Sequence, residues 1–208
     1  MTTPLFTPAK NAFQLPNAAL GEAIAREWQA HAKFNAAKMP LTSLAFTAID
    51  KISDTAAIVE MLLIYINTDT LSYRATAEKL AAQQEEEWNP VLHWAGKTFG
   101  GIWQITTGVM PVEQPQALHA SIGAYLSSLT AMELAALCVL SSGYSSLVLA
   151  LAVTKKHIGA EEAFRLSRLE EEFSAEQWGR DEEADNRTAR LKAEIMDADR
   201  FLGLLECV

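Results

Sequence analysis

Residues 129–153 read LTAMELAALCVLSSGYSSLVLALAV, and the fold turns on whether this run is one membrane span or two buried helices. About 20 apolar residues suffice to cross a bilayer, and Glu133 is the single charge in the run. Three local signals divide it. Thr130 with Glu133 three residues on makes a capping box, so a helix starts inside the supposed span. Ser141-Ser142-Gly143 falls in the middle, where Gly143 can close that helix or kink the pair. The remaining content is mostly Ala, Ser and Leu. Two consecutive helices packed inside a helical protein are therefore expected, with no membrane insertion. The other apolar run, Ile58–Ile66, is far too short to span.

Working outward, helical periodicity covers most of the chain. Upstream, Thr7–Leu15 reads as a short hairpin around Pro8-Ala9-Lys10-Asn11. Asn17 can cap a helix in which Leu20, Ile24 and Trp28 recur every four residues; that spacing assigns Trp28 to the core. Pro40 precedes a second helix around Leu41–Ile49, and Asp54 caps a third with Ile58, Leu62, Tyr65 and Ile66 on one face. A fourth runs from Arg74 or Thr76 to His93 or Trp94, with Glu85-Glu86-Glu87 on its solvated side. Gly100-Gly101 breaks the chain, and Ile102–Thr107 alternates in the manner of a strand. Downstream, Ala160–Gln177 forms one helix, and Asp181 caps the last, whose stripe runs from Ala184 to Leu205. The expected fold is mainly α within the α+β class: a helix bundle with a small N-terminal β element, divided into a short front region (1–40) and a mainly helical domain (41–208).

The composition narrows function by exclusion. The 208 residues are 50% apolar and 21% charged, enough to bury a core. A net charge of −9 argues against an electrostatic nucleic-acid binder or a polybasic membrane anchor. Cys138 and Cys207 form no C-x-x-C pair, which fits reduced thiols in a cytosol-like compartment. Met1–Phe13 has no basic region followed by an apolar core, so no secretory signal is read there. The expected location is the bacterial cytoplasm, or the mitochondrial matrix for a processed eukaryotic chain.

Familiar catalytic patterns fail one by one. His31, His93, His119 and His157 are scattered and make no zinc pair. Gly96-Lys97-Thr98 resembles the end of a phosphate-binding loop, but Val91 stands where its first glycine is needed. Gly143-Tyr144-Ser145-Ser146 would suggest a nucleophile elbow, yet Leu147 occupies the closing glycine position. Glu161–Arg200 carries 13 carboxylates against seven bases, which reads as solvated helix faces. A di-iron bundle would want His three residues after Glu170, where Phe173 stands. The expectation is a protein without cofactor or metal. The rival reading is an enzyme using these clustered carboxylates with a divalent metal, and a third is a structural oligomer with apolar helices paired between copies.

Several segments in order resist a purely structural account. They include Leu41–Asp50, Asn67-Thr68-Asp69, Tyr73-Arg74-Ala75, Trp88-Asn89-Pro90 with Trp94, Met110-Pro111-Val112, Gln114-Pro115 and Ser146–Ala152. The last are Ser167-Arg168-Leu169-Glu170-Glu171-Glu172-Phe173 and Gln177-Trp178-Gly179-Arg180-Asp181. Together, over about Thr7–Leu205, they resemble the ATP12-type assembly chaperones of the ATP synthase F1 sector, whose members bind the isolated α subunit. The resemblance implies a binding protein without turnover, which shields the α subunit's interface until the β subunit replaces it. It implies a functional role for Glu170, either in an ion pair to the partner or in an internal pair with Arg74 or Arg168, with Arg168 and Glu171 beside it. Trp28 matches a family tryptophan, and Trp178, Gly179 and Asp181 match a family pattern read as fixing the corner before the last helix. The family usually has a β-rich front before the segment at Thr7, where six residues stand here, so either that start is trimmed or the β layer is reduced. The chain's own oligomeric state stays open.

Overall fold

The structure, a computed structural model, describes residues 5–31 and 33–207. Residues 1–4 and 32 of the front region, and with them the start of the stretch read as lacking a secretory signal, lie outside it. Local chemistry starts each early helix. Asn17 accepts the Leu20 N–H at 2.9 Å and opens α1 (Ala18–Ala30). Helix α2 (Pro40–Lys51) begins at Met39, which has no side-chain oxygen to offer. Glu27 of α1 supplies the cap instead, accepting the N–H groups of Leu41 and Thr42, both at 2.9 Å. Asp54 caps α3 (Thr55–Ile64). There follow a 3-10 turn (Thr70–Ser72), β1 (Tyr73–Arg74), α4 (Glu78–Phe99), β2 (Thr106–Thr107) and α5 (Gln116–Ser127). The chain ends in α6 (Ala131–Tyr144), α7 (Leu147–Thr154), α8 (Ala160–Ser167), α9 (Leu169–Trp178) and α10 (Glu182–Leu205).

The run 129–153 is two helices. Glu133 accepts the Thr130 N–H at 2.7 Å while Thr130 Oγ1 accepts the Glu133 N–H at 3.3 Å, completing the capping box. Ser145, at φ 51°, turns the chain out of α6, and Ser146 caps α7 through the Leu149 N–H. Every residue from Leu147 to Val153 is buried. A helix apolar all round must be surrounded, and α4, α6 and α8 enclose it. Gly143 does not close α6, which runs on to Tyr144; a Cβ there would come within 2.8 Å of Ile195 Cγ1, so its bare backbone lets α10 approach. Helix α6 also packs on α2, and α1 lies across α2 and α10. Among the described residues, no helix is long and apolar enough to cross a membrane.

The front does turn back on itself, with an isolated antiparallel bridge between Phe6 and Ala12. Asp50 of α2 holds it by accepting from the Thr7 hydroxyl, the Ala9 N–H and Asn11 Nδ2. Elsewhere the structure corrects four local readings. The strand is Thr106–Thr107 alone, paired in parallel with Tyr73–Arg74. It starts late because the Gln114 side-chain amide occupies both backbone groups of Gln104, with N–H to Oε1 at 2.8 Å and Nε2 to O at 2.9 Å. Helix α4 starts at Glu78 because Tyr73–Arg74 is extended and the Ala75 N–H goes to Gln84 Oε1. The predicted Ala160–Gln177 helix is broken at Arg168 (φ −109°, ψ 11°), whose N–H bonds back to Arg165 O in a tightened turn. Leu20 and Ile24 are buried, but Trp28 is 42% exposed. A stride of four drifts about 40° per step around a helix of 3.6 residues per turn, so by Trp28 the stripe has rotated off the core.

Candidate functional site

Beyond the break at Arg168, α9 lies against α4 and α8, and Leu169 is its only buried residue. Its first turn carries Glu170, Glu171 and Glu172, where carboxylates meet the positive end of a helix. Arg168 pairs with Glu171 at 2.9 Å. Glu170 pairs with neither Arg74 nor Arg168. Its Oε1 accepts from Gln84 Nε2 of α4 at 2.7 Å, and Gln84, fully buried, accepts the Ala75 N–H at 2.8 Å through its own carbonyl. The exposed carboxylate is thereby anchored to the buried start of α4. Sequence reading missed Gln84, although Leu80, Gln84 and Trp88 share the buried stripe of that helix, and a glutamine on such a stripe needs a partner.

Beyond Glu170 the chain turns a corner. Gly179 has φ 91°, a conformation that disfavours any side chain, and Asp181 caps α10 by accepting the Ala184 N–H at 3.1 Å. Trp178 takes no part in holding this corner: its ring is 86% exposed. Between α9 and α10 lies a concave surface of about 540 Å³, lined by Arg168, Glu170, Trp178, Arg180, Asp181 and Thr188 among others. Arg180 bridges it, bonding Glu172 at 2.6 Å and Asp185 at 3.3 Å. Other acids are paired too, Glu162 and Glu87 with Arg165 and Glu161 with Lys192. Among the described residues, no group of three His, Cys, Asp or Glu is placed to hold a metal ion. Trp28 lies away from this platform in the front, stacked against Phe34 at 6.5 Å.

Behind the platform, the ordered motifs of the sequence converge on one polar network. Arg74 lies over the Trp88 ring, donates to Asn89 Oδ1 at 2.7 Å, and also donates to the Leu71 carbonyl. Asn67 Oδ1 accepts from the Gln114 N–H, and Tyr73 donates to the Asn67 carbonyl. Asp69 is fully buried and accepts from the Leu71 N–H, the Ser146 hydroxyl and the Val148 N–H at 2.8–3.0 Å. Burial pushes its carboxyl up to about 6, against the opposing pull of those hydrogen bonds. These groups fasten the Asn67–Ala75 segment to α4 and α7, which fixes where Gln84 and Glu170 sit.

A helical bundle that presents an acidic helix, anchored through Glu170, and an exposed tryptophan on one concave face has the form of a protein-binding module. The family described as ATP12 chaperone protein matches residues 2–96. The crystal structure of Atp12 from Paracoccus denitrificans is 42% identical, with a TM-score of 0.93 over 98% of this chain and 89% of that one. A mutant of the same P. denitrificans protein matches with 43% identity and a TM-score of 0.93, over 98% of this chain and 88% of that one. The mitochondrial protein atp12 of Schizosaccharomyces pombe is 29% identical over 168 residues, which is 74% of this chain and 58% of that protein. The chain thus spans less than two thirds of that relative's length. It belongs to the ATP12 family of F1-ATPase assembly chaperones.

Proposed function

We propose that this protein binds the unassembled α subunit of the ATP synthase F1 sector and shields its subunit interface until the β subunit displaces it. An unassembled subunit exposes apolar surface that aggregates, and a stoichiometric binder suppresses this without nucleotide hydrolysis. Release follows mass action, since the native α–β interface competes for the same surface. The supporting observation is Glu170: an exposed carboxylate at the head of α9, held by a neutral amide rather than neutralised by a base. A carboxylate so held has no internal base among the described residues and is free to meet a basic group of the partner, with Glu171 and Arg168 beside it and Trp178 on the same concave face. The compartment we assign is the bacterial cytoplasm or the mitochondrial matrix, in keeping with the free thiols of Cys138 and Cys207.

The test is size-exclusion chromatography of the protein with freshly refolded α subunit, using β subunit and nucleotide-free buffer as controls. Co-elution with α alone, lost on Glu170→Lys in a variant with unchanged circular dichroism, is the expected result. Absence of any complex, with α still aggregating, overturns the reading. The enzyme alternative would draw on the C-terminal carboxylates, of which Glu172, Glu162 and Glu161 are tied to Arg180, Arg165 and Lys192.

A further inference from the structure

A cluster of exposed apolar side chains lies in the segment after α4. From Thr98 to Val112 no residue is charged, in a protein of net charge −9. Ile102 is 79% exposed and Val109 93%, with Ile105 and Met110 also open to solvent. Ile102 and Ile105 form one wall of a cleft of about 460 Å³, whose other wall is the C-terminal half of α4 through Asn89, Leu92 and Gly96. Trp103 lies in this cleft with 6% of its surface exposed, and its indole N–H has no acceptor among the described residues. An orphaned buried donor is a standing cost that an incoming acceptor would relieve. His93 and Lys97 stand on the rim. Among the described residues Lys97 makes no ion pair.

We propose that this cleft is a second contact for the client subunit, and that it takes an extended apolar segment with an acidic residue at one end. The proposal rests on the chaperone reading above. Ile102 and Ile105 cover the apolar side chains, the Trp103 indole donates to a main-chain carbonyl after a small shift of the cleft wall, and Lys97 meets the carboxylate. Charge complementarity selects this occupant: an uncharged floor with a cationic rim, on an otherwise acidic surface, disfavours the chain's own acidic faces. Helix α4 joins the two contacts, since Gln84, which anchors Glu170, precedes Lys97 by 13 residues, about 20 Å of helix.

The experiment compares wild type, Ile102→Asp/Ile105→Asp, Lys97→Glu and Trp103→Phe in two assays. One is titration with refolded F1 α subunit; the other is binding to an array of overlapping 15-residue peptides of varied sequence. The aspartates replace exposed side chains, so unchanged thermal unfolding is expected and is verified first. The double aspartate should weaken both interactions at least tenfold and Lys97→Glu should weaken acidic-flanked peptides selectively. Trp103→Phe, which loses one hydrogen bond, should weaken binding about fivefold. Peptide binding lost in these variants, when wild type fails to bind α, refutes the α-subunit reading and supports the cleft. Wild-type affinity for α and peptides in all variants overturns the cleft. So does a wild-type dimer in ultracentrifugation that the aspartates dissociate, which would make the occupant a second copy.

Discussion

The contact between Gln84 and Glu170 can be tested by exchanging its charge. In Gln84→Glu the introduced carboxylate still accepts the Ala75 N–H but no longer donates to Glu170, and the two acids face each other where 2.7 Å separates the present pair. Two unit charges near 3 Å repel by about 5 kcal/mol at an effective dielectric constant of 20. Glu170 is exposed and can swing outward, so only part of this is felt. The lost charge-assisted hydrogen bond and the unpaired buried charge remain. A destabilisation of about 3 kcal/mol at pH 7 follows. The introduced acid, buried and facing a second acid, has its folded-state pKa raised above its unfolded value. The folded state then binds the extra proton more tightly, and the defect grows as pH rises and shrinks as it falls. At pH 5 it should drop to about 1 kcal/mol. Adding Glu170→Gln restores a donor and should recover about half of the loss at pH 7. The assay is urea unfolding of the four proteins of this cycle at both pH values. If Gln84→Glu lies within about 0.5 kcal/mol of wild type at pH 7, or Glu170→Gln recovers nothing, the buried amide is not what anchors the platform.

Three further outcomes are expected. Gly143→Ala should cost about 1–3 kcal/mol by driving its Cβ into Ile195, and Ile195→Val should recover part of this in chemical denaturation; an unperturbed single variant would refute the close approach of α6 and α10. Asp69, raised to about 6 by burial, should make stability decline as pH rises from about 4 through 6, and Asp69→Asn should flatten that part of the profile; parallel profiles would count against a buried carboxyl. With its folded-state thiol pushed up to about 11 by burial, Cys138 should react slowly with a disulfide reagent in the native protein, while exposed Cys207 reacts fast; two equally fast thiols would contradict the packing of α6.

What the sequence reveals and what it hides divide along chain distance. Asn17, Asp54, Thr130 and Asp181 were each legible as caps because the bond they make closes within three residues. The buried pair α6 and α7 was legible for the same reason, through Thr130, Glu133 and the turn at Ser145. The features that shape the site close over long separations. Gln84 meets Glu170 across 86 residues, Ser146 meets Asp69 across 77, and β1 pairs with β2 across a whole helix. No local pattern encodes a side-chain amide such as that of Gln114 standing in for a neighbouring strand. The break at Arg168 has no proline or glycine to announce it, being set by how Ser167 and Leu169 bury on either side. Trp28 misled because a spacing of four is only nearly the helix period.

The helix bearing Glu170 buries only Leu169 and is otherwise held by the Gln84 amide, the Lys79 cation over the Phe173 ring and the Arg180–Glu172 pair, whereas α7 is sealed on every side. Local opening free energies track such buried contacts. Helix α9 is therefore a latch on a rigid frame: it can lift from α4 for the loss of a few contacts while the bundle keeps its stability. On the proposed chaperone role, yielding a client would draw on the opening of α9 alone, with the bundle left folded for the next.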